Sequence, residues 1–334
     1  METIVKRRRE FLKLAGAAAA SAAVTRRARA QAKEKVVVSW LPIMQTFAYY
    51  VALEEQLFEK RGIEIESVRF QAPNQIIDSL VAGRADLGAP GAAAGIAALA
   101  EVQFPGTFKV FGLQGGGIKV NRLNDALIVA NASPIKSFAD LKDKTLGHLP
   151  GIQWRTLSRH AVREAGLDPE KDVRLSELAV GLQVQALIAG TVDATLSLEP
   201  VGSIAVASGE AKRALSNPMS QAVSDPFYSG VSLLTAKFMS ERPAVAARVV
   251  EALDEATALA EANFDKYRPI LPKYTSVKPE QAGIIAQPYL RPWKDLNETD
   301  LKSYQAFVDV FRKEGILKAD FDIRPFILKA GDIG

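Results

Sequence analysis

The sequence predicts an α/β protein built as two lobes of similar plan. Short β-branched runs alternate with stretches of helical length from residue 36 to residue 200, the pattern of parallel βαβ units. One joint occurs twice. Leu80-Val81-Ala82-Gly83-Arg84-Ala85-Asp86-Leu87 returns 107 residues later as Leu187-Ile188-Ala189-Gly190-Thr191-Val192-Asp193-Ala194. In each copy an apolar helical run ends at a glycine placed for a left-handed cap, and a strand follows at once. Beyond Pro226 the pattern turns mainly helical, with one strand at Gly230 to Thr235. A single strand makes no sheet of its own, so the tail is expected to return to the first lobe. Residues 31–124 and 226–334 then form lobe 1, residues 125–225 form lobe 2, and two hinge strands join them.

The N-terminus reads as an export signal. Arg7-Arg8-Arg9-Glu10-Phe11-Leu12-Lys13 precedes the apolar run Leu14 to Val24, and Ala28-Arg29-Ala30 supplies a small-x-small cleavage pattern before Gln31. Eleven apolar residues fall short of a bilayer core of roughly 30 Å, so residues 1–30 are read as a removable signal and not as a membrane anchor. The pair Arg8-Arg9 followed by x-Phe-Leu-Lys is similar to a twin-arginine signal, which implies export in the folded state to the periplasm. Eight of the 42 basic residues and two of the 38 acidic ones lie in this segment, so its removal turns a formal +4 into a small acidic excess. A nucleic-acid partner thereby loses its electrostatic support. With no cysteine in the chain, disulfides, thiolate zinc sites and a cysteine nucleophile are excluded together.

The elements follow in order. Val36 to Trp40 is a buried first strand ended by Pro42, and a helix carries Phe47, Tyr50, Val51, Leu57 and Phe58 toward one face before Gly62 caps it. Ile63 to Glu66 alternates as a half-exposed strand; Pro73 opens a helix to Ala82; Ala85 to Gly88 is a strand; Pro90-Gly91 opens an Ala-rich helix. Phe108 to Leu113 is a strand, and Gln114 to Asn124 a Gly-rich connector that marks the first crossing between lobes. Lobe 2 takes strands at Ala126 to Ala130, Thr145 to Leu149, Val173 to Leu178 and Thr191 to Ser197, with helices to Ala165 and Ala189. The tail holds helices at Arg242 to Phe264, Pro279 to Tyr289, Glu298 to Glu314 and Arg324 to Lys329.

Seven short motifs in order carry a resemblance. They are Trp40-x-Pro42, Glu59-Lys60-Arg61-Gly62-Ile63-Glu64-Ile65-Glu66, Leu80-x-x-Gly83-x-x-Asp86-x-Gly88, Ile135-Lys136-Ser137-Phe138-x-Asp140-Leu141-Lys142-x-Lys144, Gly166-Leu167, Ala186-x-x-x-Gly190-x-x-Asp193-Ala194, and Glu199-Pro200. Over roughly residues 36–200 the chain resembles the periplasmic solute-binding proteins of the nitrate, taurine and aliphatic-sulfonate ABC importers, a group that also includes thiamine-precursor pyrimidine binders. The resemblance implies a two-lobed type II periplasmic binding fold with a helical C-terminal extension. It also implies closure around one small solute and delivery to an inner-membrane ABC permease with its ATPase. Many members carry Ser or Thr at the start of the helix after Pro150 to bind an anion; this chain has Gly151-Ile152-Gln153-Trp154-Arg155 there.

The sequence lacks the parts of an enzyme. It has no Gly-x-Ser-x-Gly elbow, no Gly-x-x-x-x-Gly-Lys phosphate loop and no His-Glu-x-x-His. His148 and His160, the only histidines, are read as structural, no metal or other cofactor is expected, and Glu54-Glu55 is read as a solvated helix face. Binding asks for less: in an open α/β sheet a ligand lies beyond the carboxyl ends of the strands, where helix N-termini present unpaired N–H groups. That places the candidate site at Trp40, Thr46, Phe47, Pro90, Gly91, Gly151, Gln153, Trp154, Arg155 and Glu199. Glu199 is expected either to face the cleft or to pair with a cation at the hinge; in the first case, with Arg155 opposite, the solute is bipolar and nitrogen-containing. The expected protein is a monomeric solute receptor for a small nitrogen- or sulfur-containing organic molecule. The alternative is an exported α/β enzyme, or a sensor-coupled receptor, for a pyrimidine- or sulfonate-like one.

Overall fold

The structure, a computed structural model, describes residues 33–333. The expected export signal of residues 1–30 and the expected terminus at Gln31 lie outside the described residues. From Lys35 onward the chain packs as one compact unit.

Among the described residues, eleven strands make two mixed sheets. The six-stranded sheet takes β1 (Glu34–Trp40), β2 (Ile63–Arg69), β3 (Leu87–Ala93), β4 (Phe108–Gly116), β10 (Phe227–Thr235) and β11 (Tyr289–Pro292), in the order β11-β4-β10-β3-β1-β2. The five-stranded sheet takes β5 (Asp125–Ala130), β6 (Lys144–His148), β7 (Val173–Glu177), β8 (Ala194–Leu198) and β9 (Ala211–Ser216), in the order β7-β6-β8-β5-β9. Helices α1 (Phe47–Glu54), α2 (Pro73–Val81) and α3 (Ala94–Gln103) follow strands of the first sheet; α4 (Ile152–Glu164), α5 (Gln183–Ile188) and α6 (Val201–Ala207) follow strands of the second. The short α7 (Pro218–Ala222) lies on the return crossing, and the tail adds α8 (Ala236–Glu241), α9 (Pro243–Ala262), α10 (Phe264–Tyr267), α11 (Leu271–Tyr274) and α12 (Glu298–Lys313).

The sheets are not wholly parallel as the alternation predicted. β1 pairs with β3, and β6 with β7 and β8, in parallel, but β10 and β5 run antiparallel to both neighbours. The crossings explain it. A chain arriving from the other half enters at the carboxyl edge and runs back, so the first residue of β5, Asp125, pairs with Leu198 at the end of β8, and Phe227 of β10 with Gly116 at the end of β4. Both repeated joints end as read: Gly83 (φ 67°) and Gly190 (φ 70°) are left-handed. The aspartates then do one job twice. Asp86 N donates to Val37 O and its Oδ2 accepts from Val37 N at 3.0 Å; Asp193 N donates to Thr145 O and its Oδ2 accepts from Thr145 N at 2.8 Å.

Other boundaries are corrected. Pro90-Gly91 does not open the helix but lies inside β3, and α3 starts at Ala94. Proline has no ladder donor, and β10 slips register opposite it, between Val231 and Leu233, which keeps the strand going. Gly115 and Gly116 belong to β4, where a Cβ on Gly115 would collide with the Phe227 carbonyl; close packing, not flexibility, needs glycine there. The first helix stops at Glu54, and Pro279 to Tyr289 resolves into a 3-10 turn and the start of β11. Arg324 to Phe326 is likewise only a 3-10 turn. Strands β9 and β11 and helix α6 were missed. Glu54 and Glu55 bind α1 to Lys273 and Tyr274 and to Lys266 and Tyr267 of the tail instead of facing only water.

Candidate functional site

The carboxyl ends of the two sheets meet along a buried polar seam. Met44 N, after β1, donates to the Glu199 carbonyl after β8 at 2.9 Å. Gln45 is buried, and its Nε2 donates to Asn124 Oδ1 at 2.7 Å and to Ser229 Oγ at 2.8 Å. Gln153, near the start of α4, crosses from the second half: its Oε1 accepts from Gly95 N of α3 at 2.8 Å, and its Nε2 donates to the Ser229 carbonyl at 3.0 Å. Gly91 N, freed from the ladder beside Pro90, donates to Gln114 Oε1 at 3.0 Å, and Gln114 Nε2 reaches Ser232 Oγ. Buried amides and hydroxyls paired in this way hold their neighbours in one geometry.

Both crossings are tied at the same end of the seam. Asn124 N donates to Asn217 Oδ1, Asn124 Nδ2 and Met219 N both donate to the Asp125 carboxylate, and Asn217 N donates to the Asp125 carbonyl. Burial pushes the Asp125 carboxyl up to about 6, with these bonds opposing the shift and the charge of Glu199 adding to it.

The predicted residues divide. Gln153, Pro90 and Gly91 lie on the seam, and Thr46 lies beside them, since a Cβ on Gly91 would sit 3.1 Å from Thr46 Oγ1. Phe47 packs edge-on to Phe264, and Trp154 is 1% exposed in the hydrophobic core. Gly151 N and Arg155 Nη2 both donate to Glu177 Oε1. Glu199 is buried and pairs with a cation: Arg213 Nη2 lies 2.9 Å from Oε1, and Ser203 N donates to Oε2. The two charges on which a bipolar solute was expected are thus engaged within the second half. Trp40, 7% exposed, sits among Tyr49, Tyr50 and Tyr274 under the Arg69 guanidinium, and its Nε1 has no acceptor.

Two buried polar side chains outside the predicted site residues have an atom without a partner: Gln183, and His148, which the sequence reading took as structural. His148 ends β6 as Trp40 ends β1, and the tripeptides Trp40-Leu41-Pro42 and His148-Leu149-Pro150 are an echo that could have found it. His148 Nδ1 lies 2.7 Å from the Leu149 carbonyl, which only accepts, so Nδ1 carries the proton and Nε2 presents a bare lone pair. Burial lowers the imidazole below its usual value and keeps it neutral; that Nε2 is buried without a partner. Gln183 donates at 3.4 Å to the carbonyl of Leu178, whose own N–H donates to His148 O; its Oε1 is buried and unpartnered too. Beside Gln183 a groove of about 470 Å³ runs between α5 and α6 on one wall and residues 276–281 on the other. Among the described residues no cluster of His, Asp and Glu is arranged to hold a metal.

Comparisons with known proteins agree with this architecture. The chain is 29% identical over 282 residues to a putative aliphatic sulfonates-binding protein of Escherichia coli (strain K12), covering 82% of this chain and 83% of that one. The alkanesulfonate-binding protein of Xanthomonas axonopodis pv. citri, solved with MOPS bound, superposes with a TM-score of 0.72 at 20% identity, over 90% of this chain and all of that one. A desulfurization enzyme, DSZB, superposes with a TM-score of 0.64 at 16% identity, over 90% and 98%. The fold is therefore that of periplasmic binding proteins, a frame that also carries an enzyme. A family model described as NMT1-like family matches residues 29–270, and the chain belongs to that family.

Proposed function

We propose that the protein is the solute receptor of an ABC importer, which takes one small nitrogen- or sulfur-containing organic molecule between its two lobes and hands it to a membrane permease with its ATPase. The observation that carries this reading is the seam. Two sheets of matched order present their carboxyl ends to each other, and Met44, Gln45 and Gln153 bond across them. Groups of that kind can re-pair with a solute as the lobes open and close about the Asn124–Asp125 and Asn217 crossings. In this reading the receptor is a monomer of the periplasm, which the resemblance of Arg8-Arg9-x-Phe-Leu-Lys to a twin-arginine signal supports; no described helix is long and apolar enough to cross a membrane.

The reading as a binder, not an enzyme, is supported by how the seam's groups are engaged: its amides and hydroxyls bond one another, and the Asp125 carboxylate accepts from Asn124 and Met219. A thermal-shift screen over sulfonates, inorganic anions, amino-sulfonates, pyrimidines and aromatic carboxylates tests it. A solute at 100 times its Kd should add about 2.7 kcal/mol of stability. One-to-one stoichiometry by calorimetry is the expected outcome; no stabilising solute in any class would remove the receptor reading.

A further inference from the structure

Helix α4 belongs to the five-stranded half and reaches the six-stranded half at both of its ends. Gln153, His160 and Arg163 recur at helical spacing, so they share one face. At the seam end Gln153 bonds Gly95 N and the Ser229 carbonyl. About 15 Å further along the helix axis, Arg163 Nε and Nη2 donate to the two oxygens of Glu314 at 3.2 and 3.0 Å. His160 Nδ1 lies 3.4 Å from Glu314 Oε1, and Arg159 Nε lies 3.9 Å from Oε2. The other nitrogen of His160 faces a carbonyl, which only accepts, so Nε2 donates to Ala222 of α7 on the return crossing at 3.2 Å.

Glu314 ends α12, and α12 is fixed to the six-stranded half. Tyr304 Oη donates to the Ala94 carbonyl at 3.0 Å, Tyr228 Oη of β10 donates to Asp300, and the Phe311 ring fills the space that a Cβ on Gly95 would take. Nothing in α12 itself calls for a carboxylate at this end, since a negative charge at a helix C-terminus opposes the helix dipole. Its side chain is nevertheless only 2% exposed. Burial pushes the carboxyl up, but Arg163 and His160 outweigh it and hold Glu314 below the usual carboxylate range. The charge is therefore answered across the halves and not within α12.

We infer that Glu314 is a positioning residue for the seam: through Arg163 and His160 it clasps α4 to the six-stranded half and so fixes where Gln153 stands between Gly95 and Ser229. Gln153 is held from behind. In a receptor, any solute that takes over the bonds of Gln153 has to work against that clasp, although no part of the clasp touches the seam.

Hydrogen exchange at Gly95 tests this on the unliganded chain. Its N–H lies in the first turn of α3, where a helix offers no acceptor of its own, and Gln153 Oε1 holds it. Gln153→Leu removes that acceptor and sets the ceiling of the exchange rate. Glu314→Gln and Arg163→Met should each speed exchange at Gly95 about tenfold or more toward the ceiling, and the double variant should go no further than the faster single one. Amides inside the two sheets, at Leu127 and Val231, should keep their wild-type rates, and melting should stay a single transition. A wild-type rate at Gly95 in both variants would overturn the assignment. So would acceleration spread evenly through both sheets, which marks a general loss of stability. Should Glu314→Gln fail to fold, Arg163→Met carries the same expectation, because the Arg163 side chain is half exposed. The readout needs no solute, so its failure and that of the receptor reading are separate.

Discussion

The two halves share a plan and differ in how they finish it. Strand order β2-β1-β3-β10-β4 in one matches β7-β6-β8-β5-β9 in the other, and Asp86 and Asp193 pin equivalent strands by equivalent bonds. At the carboxyl edges the likeness stops. The six-stranded half closes its edge with amides and hydroxyls that satisfy one another, Gln45 with Ser229 and Gln114 with Ser232. The five-stranded half locks its charges in the Glu199–Arg213 and Arg155–Glu177 pairs and leaves His148 and Gln183 open. The two edges thus differ in how their polar groups are paired, amide to hydroxyl in one and ion to ion in the other.

The largest effect expected from breaking this division is at Glu199. If its work is to fix the second half, Glu199→Ala should cost about 3 kcal/mol by leaving Arg213 and Ser203 N unanswered. Arg213→Met in the same background should add much less than it does alone, as denaturant titration of the cycle would reveal. A Glu199→Ala protein of wild-type stability that fails to bind a confirmed solute would move Glu199 back into the site.

Gln45 comes next. Gln45→Leu removes the donor shared by Asn124 Oδ1 and Ser229 Oγ and should destabilise by about 2 kcal/mol. Gln183→Met gives up only the 3.4 Å bond to the Leu178 carbonyl and should cost less. Equal losses at the two glutamines would erase the distinction between a closed edge and an open one.

Smaller and equal effects are expected at the joints. Asp86→Ala and Asp193→Ala each remove one acceptor from a strand N–H, about 1 kcal/mol apiece, with faster amide exchange at Val37 and Thr145 respectively. A difference larger than about 1 kcal/mol would mean that the repeated joint is a likeness of sequence only.

The crossing at Asp125 should also show a pH dependence. Asp125 rises from 3.8 to about 6 on folding, so its contribution is fully present below the lower value and is lost as pH rises through the upper one. Melting temperatures of the wild type relative to Asp125→Asn should therefore fall between about pH 4 and pH 6 and level off above. A relative stability that climbs over that interval would show a carboxylate favoured in its charged form.

Much of the frame was legible because it is local. Gly83 and Gly190 cap helices wherever such a sequence stands, and β1, β6 and α9 carry their own periodicity. What was missed depends on partners distant in sequence. β3 is Leu-Gly-Ala-Pro-Gly-Ala-Ala, with little β-propensity, and is a strand only because β1 and β10 hold it. β9 and β11 are sheet edges, where Lys212, Arg213 and Pro292 are tolerated and obscure the pattern. Glu199 drew notice as a lone charge, and nothing near it announced Arg213 fourteen residues on. His148 and Gln183 have no motif beyond the Leu-Pro echo, because their distinction is burial without a partner, which exists only after folding.

The central claim is that the chain holds a solute without changing it. Incubation of the exported, processed protein with a solute confirmed by the thermal-shift screen, followed by denaturation and quantitative mass spectrometry of everything released, addresses that claim directly. The account predicts one molecule recovered per chain, chemically intact, however long the incubation. Accumulation of a product beyond one equivalent would make the protein an enzyme on a binding-protein frame.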